Sequence, residues 1–300
     1  MSEVLRRPTT LEEFGAVAAR FFSKESHERG LAFVPRPSDV FIATYAKAGT
    51  TWMQQIVHGL RTKGSMDFGE ITEVVPWIEL AFDLDIDPEA EQVADPRAFK
   101  THLNWDDVPK GGRHIVIFRD PEAVAVSLFR FMHGWFFENG SIPQDTYLRE
   151  SFLGDGKGDN YWDNSRSWWQ ASERDDVLAF IYEDMADDLP AVVEKVAAFI
   201  GLDPDQETLE IATEQARFEF MKAHAAQFDD NLLRRKRDVI AGLPADGESN
   251  KVATGQSNKE PLSPELKVLF AEAWQSKIAK QTGLADYADL QDSIRVRNRG

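Results

Sequence analysis

Apolar positions fall into short continuous runs that alternate with helical patterns. The run DVFIATY (residues 39–45), lying between Pro37 and Gly49, is rich in β-branched and aromatic residues and predicts a buried strand. Behind it the small-residue stretch AKAGTT leads into WMQQIVHGLRTK, where Trp52, Ile56, Val57 and Leu60 recur at helical spacing. Strand, loop and helix in this order open a βαβ unit. The alternation continues. Residues 98–103 and 113–118 (RHIVIF) predict strands, and Asp120-Pro121 caps a helix running through EAVAVSLFRFMHGWF. Residues 177–182 (VLAFIY) predict another strand, followed by a helix over 189–200 that stops at Gly201. Such a chain implies one α/β domain with a mostly parallel central sheet flanked by helices. No repeat, low-complexity tract or long linker divides it. Residues 64–96 and 138–165, acidic or Gly-rich, and the loose stretch 225–262 predict loops and lids. In an open α/β sheet these surround the site at the carboxyl ends of the strands. Residues 1–36 and 284–300 are expected at the periphery.

Charge narrows the partners. Among 300 residues, 34 Lys and Arg stand against 51 Asp and Glu, a net charge of −17. A surface that negative repels phosphodiester backbones and anionic lipids, so no nucleic-acid or membrane partner is expected, and an anionic ligand needs a local basic pocket. The absence of cysteine removes disulfides, thiolate nucleophiles and cysteine-ligated zinc, and fits a reducing compartment. The N-terminus is acidic where a leader needs an apolar run, and no stretch approaches the ~20 apolar residues of a membrane span. A cytoplasmic protein is expected. No metal-ligand cluster is evident, and no metal is expected.

The most informative segment is TYAKAGTTW (residues 44–52). A small-residue loop feeding a helix N-terminus offers free backbone N–H groups and the positive end of the helix dipole, which together bind an anion. Lys47 adds a charge, and Thr50 and Thr51 add hydroxyls. Helix capping alone does not explain a lysine there. The loop is not the nucleoside-triphosphate P-loop either, because its lysine precedes the glycine and the first glycine is missing. Downstream, Lys100 and His102 stand two apart on a strand, so both point to one face and can converge on one centre.

These segments resemble the cytosolic-type sulfotransferases, in particular their bacterial members. TYAKAGTTW is similar to the family's 5′-phosphosulfate loop TYPKSGTTW, with Ala46 and Ala48 in place of proline and serine. Phe99-Lys100-Thr101-His102-Leu103 resembles the segment K-T-H-L, whose histidine is the catalytic base. IVIFRDPEAVAVSLFRF resembles the 3′-phosphate segment, and implies that Arg119 and Ser127 hold that phosphate. Tyr182-Glu183-Asp184-Met185 resembles Y-E-D-M, whose tyrosine lies near the adenine. Residues 216–221 resemble the nucleotide segment T-S-F-x-x-M, retaining Phe218 and Met221 without its threonine and serine. The resemblance covers residues 37–275 in unbroken motif order.

Two places depart. The family closes its nucleotide site with R-K-G, or K-V-R-x-G in bacterial relatives; here Lys251-Val252-Ala253-Thr254-Gly255 keeps the glycine but has Ala253 for the arginine. The cluster Arg234-Arg235-Lys236-Arg237 is either a compensating grip or a solvated face. The dimer motif K-x-x-x-T-V-x-x-x-E also fits poorly around Lys259, Ser263, Pro264 and Val268, which leaves the oligomeric state open.

The resemblance implies a sulfotransferase that uses 3′-phosphoadenosine 5′-phosphosulfate (PAPS), releases 3′-phosphoadenosine 5′-phosphate (PAP) and needs no metal. His102 would take the proton of an acceptor hydroxyl or amine, assisted by Lys47 and Lys100. Lys47, Ala48, Gly49, Thr50, Thr51, Trp52, Arg119, Ser127, Tyr182, Phe218, Met221 and Gly255 would hold the donor. Trp77, Phe82, Trp105, Phe131 and Phe136, with Trp135 and Phe137, offer aromatic surface for a small lipophilic acceptor such as an alcohol or phenol. The alternatives are a nucleotide-binding protein of the same fold without turnover, and a P-loop-like kinase.

Overall fold

The computed structural model describes residues 5–154, 160–249, 251 and 262–298. Four parallel strands form the sheet: β1 (Val40–Ala43), β2 (Ala98–Thr101), β3 (Arg113–Phe118) and β4 (Val177–Ile181), in the spatial order β2-β1-β3-β4. The register sets Val40 opposite both Ala98 and Arg113, and runs from His114–Val177 to Phe118–Ile181. The expected strands are all present, and β1, β2 and β4 are one to three residues shorter than their sequence runs. Only β3 keeps its full length.

Alternation along these strands builds two cores. Phe41, Ala43, Phe99, Val116, Phe118, Ala179 and Ile181 face one side, and Val40, Ile42, Ala98, Ile115, Ile117, Leu178 and Phe180 face the other. On the second side lie the helix Thr50–Thr62, through Met53, Ile56, Val57 and Leu60, and the helix Leu189–Phe199, through Val192, Val193 and Val196. On the first lie the helix Pro121–Trp135, with Asp120 accepting from the Ala123 N–H as its cap, and the helix Tyr161–Ala171. A sheet buried on both faces is why its strands read as continuous apolar runs.

The structure corrects three organisational expectations. The termini are not peripheral. The helix Leu11–Phe21 buries Val17 and Phe21 in the first core, and the helix Tyr287–Arg297 buries Leu290 and Ile294 there. Both are amphipathic and supply one apolar stripe to the face the central helices leave open. The stretch 225–262 is not uniformly loose, since Asn231–Ala241 is a helix that packs Leu232 and Leu233 inward. The stretch 138–165 likewise contains a π-turn over Leu148–Phe152 and the start of the helix at Tyr161.

Candidate active site

In a parallel sheet all carboxyl ends lie on one edge, and the residue following each strand lines or frames one cavity. Thr44 follows β1, His102 follows β2, Arg119 follows β3 and Tyr182 follows β4. The cavity they border measures about 2220 Å³.

Its basic floor is the loop between β1 and the helix Thr50–Thr62. Lys47 adopts φ 67° and Gly49 φ 114°, so the chain reverses sharply into the helix. Glycine is required at position 49. A Cβ there would lie 3.0 Å from the Tyr182 ring in a backbone conformation that other residues rarely adopt. No side chain caps the helix, which leaves its first N–H groups open beside Ala46, Lys47, Thr50, Thr51 and Trp52 on the cavity wall. The Thr44 and Thr50 hydroxyls bond to each other beneath the loop. Ala48 departs from expectation: its methyl is buried in the core, and its N–H donates to the Tyr45 carbonyl at 3.1 Å. It shapes the loop and offers the cavity no donor.

His102 stands at the centre. One ring nitrogen, Nδ1, lies 2.6 Å from the Thr44 carbonyl oxygen, which can only accept, so Nδ1 carries the hydrogen and Nε2 keeps its lone pair. Burial, with the Lys100 ammonium beside it, holds the imidazole down to about 3. It is therefore neutral at any ordinary pH. Lys100 Nζ sits 4.1 Å over the Trp77 ring, and the His102 ring meets the same indole edge-on at 4.9 Å. Trp77 is in place because the Lys100 N–H donates to the Pro76 carbonyl at 2.8 Å, which lays residues 76–77 along the sheet edge. Glu79, buried, accepts the His102 backbone N–H at 2.8 Å. Burial pushes its carboxyl up.

Three further cations gather here. Lys47 is half-buried near Lys251, Arg119 and Lys100, and desolvation with that repulsion lowers it to about 7. Lys100 is lowered by burial to about 8. Arg119 donates to the Lys47 carbonyl at 2.6 Å and lies 4.1 Å over the Tyr182 ring, while its buried Nε has no protein partner. Burial and mutual repulsion thus disfavour the charge of these lysines, and a neighbouring anion would favour it.

On the same wall Ser127 lies on the helix behind Arg119. Trp52, Tyr182, Phe218 and Met221 make an apolar slot, with Trp52 held by its indole N–H on the Ala216 carbonyl at 2.8 Å. Gly255 and Ala253 lie outside the described residues. Arg234, Arg235, Lys236 and Arg237 do not line the cavity. They pair with Asp229, Glu73, Asp85 and Asp83 respectively. Among the described residues the charges of that cluster are thus committed to carboxylates and not to the cavity.

The aromatic wall is only partly the expected one. Trp77, Phe131 and Phe136 line the cavity, with Phe131 4.5 Å from Lys47 Nζ, and Trp135 and Phe137 border it too. Phe82 does not: its ring lies 3.5 Å beneath the Arg29 guanidinium, away from the cavity. Nor does Trp105, which packs edge-on against Trp168 at 5.3 Å and His114 at 5.5 Å. Both sit in loops whose aromatic content predicts a pocket equally well as a packing site. Phe14, Phe21 and Phe22, from the N-terminal segment, complete the wall and were not foreseen. Lys251 and Asp230, also on the wall, form a buried ion pair that sequence reasoning missed. Among the described residues no group of three His, Asp or Glu could hold a metal ion, and no helix is long and apolar enough to cross a membrane.

Fold and cavity together define an α/β protein with an anion-binding strand–loop–helix turned towards a neutral histidine and an aromatic wall. Residues 37–282 match the sulfotransferase domain model. Sulfotransferase 1B1 of Canis lupus familiaris is 32% identical over 203 residues, 63% of this chain and 68% of the relative. The amine sulfotransferase of Oryctolagus cuniculus is 32% identical over 212 residues, 67% of this chain and 68% of that one. In fold, the chain is similar to retinol dehydratase solved with retinol and PAP, at a TM-score of 0.67 and 18% identity, covering 91% of this chain and 96% of that one. The chain belongs to the sulfotransferase family. It is an enzyme, a PAPS-dependent sulfotransferase acting on small acceptors.

Proposed function

We propose that the enzyme moves a sulfuryl group from PAPS to the hydroxyl or amine of a small lipophilic or aromatic acceptor, with His102 as general base. The observation that carries this reading is the fixed tautomer of His102, whose Nδ1–H is held by Thr44 while its Nε2 lone pair stays available at the cavity wall. A neutral imidazole held that way can accept a proton as the acceptor oxygen attacks sulfur. The loop N–H groups and Lys47 take the 5′-phosphosulfate and neutralise charge building on the departing phosphate oxygen. Lys100 adds charge at the sulfuryl group. Arg119 and Ser127 take the 3′-phosphate, and the slot of Trp52, Tyr182, Phe218 and Met221 receives the base.

The acceptor lies against Trp77, Phe131, Phe136 and the three N-terminal phenylalanines. Such a wall suits a flat apolar molecule better than a sugar polymer. The dipeptide Lys251-Val252 preceding a retained Gly255 supports placement in the bacterial branch, and the lack of cysteine supports work in a reducing cytoplasm.

An acceptor panel of phenols, aliphatic alcohols and primary amines, assayed with sulfur-labelled PAPS, tests the reading. Label should pass to at least one aromatic acceptor and the transfer should vanish in His102→Ala. Consumption of ATP in place of PAPS would support the kinase alternative, and PAP binding without transfer to any acceptor would support a non-catalytic nucleotide-binding protein.

A further inference from the structure

Ala253 removes the arginine with which relatives are expected to close the donor site, and the basic cluster at 234–237 is committed elsewhere. Lys251 is the remaining cation of that segment among the described residues, and it lines the cavity. It is bonded to Asp230, and the two side chains are 10% and 3% exposed. Asp230 itself is held in the left-handed region, at φ 59°, as the residue capping the helix Asn231–Ala241. That conformation is uncommon for a residue with a Cβ, and here it accompanies a carboxylate on the wall of the cavity. A bare carboxylate in a pocket for a polyanion would repel its ligand. Bound to Lys251 it does the opposite, because it fixes an ammonium where a ligand can reach it.

We propose that Lys251 is a further cation of the reacting centre, contacting the sulfuryl group during transfer, and that Asp230 positions it there. An ammonium has three N–H groups, so the bond to Asp230 does not exhaust its capacity to donate to a ligand. The location follows from the cavity itself: Lys251 lines it together with Lys47, Lys100 and His102, the residues assigned above to the transferring group, and its charge weighs on all three. Arg119 and Ser127 are assigned to the other end of the donor. Glu70, buried with one oxygen unpartnered, is the second carboxylate near this cluster, and burial raises it to about 7. Asp230 stays ionised beside Lys251 and Lys100. This inference rests on the sulfotransferase reading above.

The test compares an assay that needs the sulfuryl group with a ligand that lacks it. Turnover of labelled PAPS on the best acceptor of the panel reports the first, and calorimetric binding of PAP reports the second. Lys251→Met should lower kcat about 10²- to 10³-fold, the range seen on losing one transition-state donor. PAP affinity should stay within about threefold. Lys251→Arg should recover part of the loss. Asp230→Asn should lower kcat by less, and the double variant should be no worse than Lys251→Met, since a positioning residue has nothing left to position. If Lys251→Met does not fold, as read by its circular dichroism, Lys251→Gln, which keeps a bond to Asp230, carries the same comparison.

A kcat within twofold of wild type overturns the proposal. So does an equal loss of kcat and PAP affinity, which would assign Lys251 to the nucleotide phosphates, and multiplying losses in the double variant would overturn the role of Asp230. Wild-type protein that binds PAP but transfers no label overturns the sulfotransferase reading first, and the inference with it.

Discussion

The donor half and the acceptor half of the cavity are built by different means. The donor half is a row of strand ends. Thr44, His102, Arg119 and Tyr182 each come one residue after a strand, and a parallel sheet brings those positions to one edge whatever the intervening segments do. The acceptor half is an assembly of helix faces, with Phe14 and Phe21 from the helix Leu11–Phe21, Phe131 from the helix Pro121–Trp135 and Trp77 from an edge segment. The first depends on local chain geometry. The second depends on packing between elements far apart in sequence. Substitutions in the two halves should therefore separate cleanly into effects on chemistry and effects on acceptor recognition.

The largest separation is expected at His102. His102→Ala should cut turnover by about 10²–10⁴-fold, the usual cost of losing a general base, while PAP affinity changes only a few-fold. Retention of most activity would remove the histidine from the mechanism. Lys47→Ala should come next, lowering kcat far more than it weakens PAP, because the lysine acts on charge that develops only in the transition state. Equal losses in both would make Lys47 a plain anchor.

Acceptor-side variants should show the reverse pattern. Phe21→Ala and Phe131→Ala should raise KM for an aromatic acceptor roughly 10-fold or more, as expected for truncating a buried aromatic contact, with PAP binding unchanged. If either variant changes PAP affinity as strongly as acceptor KM, the two halves are not separable at that residue.

A smaller effect sharpens the donor half alone. Burial holds Lys47 down to about 7 and Lys100 to about 8. An anion placed beside them favours their charged forms, so PAP binding at pH 8 should take up protons, and affinity should decline as pH rises through this range. Calorimetry in buffers of different ionisation enthalpy reads the uptake directly. A buffer-independent heat would mean that the lysines are already fully charged. Smallest of all, Arg235→Ala with Lys236→Ala should leave PAP affinity within about twofold, since surface ion pairs of this kind contribute little. A large loss there would restore the basic cluster to the donor site.

Sequence determined the donor half because its signals are local. A lysine and a glycine in the turn between an apolar run and a helix, a Lys and His two apart, and an Arg after the next strand are each readable within a few residues. The parallel sheet implied by the alternation then says that they meet. Tertiary structure alone decided the rest. Phe82 and Trp105 carry the same composition signal as Phe131 and Trp77, yet only packing shows that the first pair covers other surfaces and the second faces Lys47 and Lys100. The N-terminal phenylalanines read as one face of an ordinary amphipathic helix, and nothing local says that this face borders a cavity. Asp230 and Lys251 are twenty-one residues apart by number, 251 minus 230, and they meet only because the fold brings both to the wall of one cavity. An apolar or charged side chain has the same sequence appearance whether a neighbour covers it or a cavity opens before it, and which of the two holds is fixed by the surrounding elements.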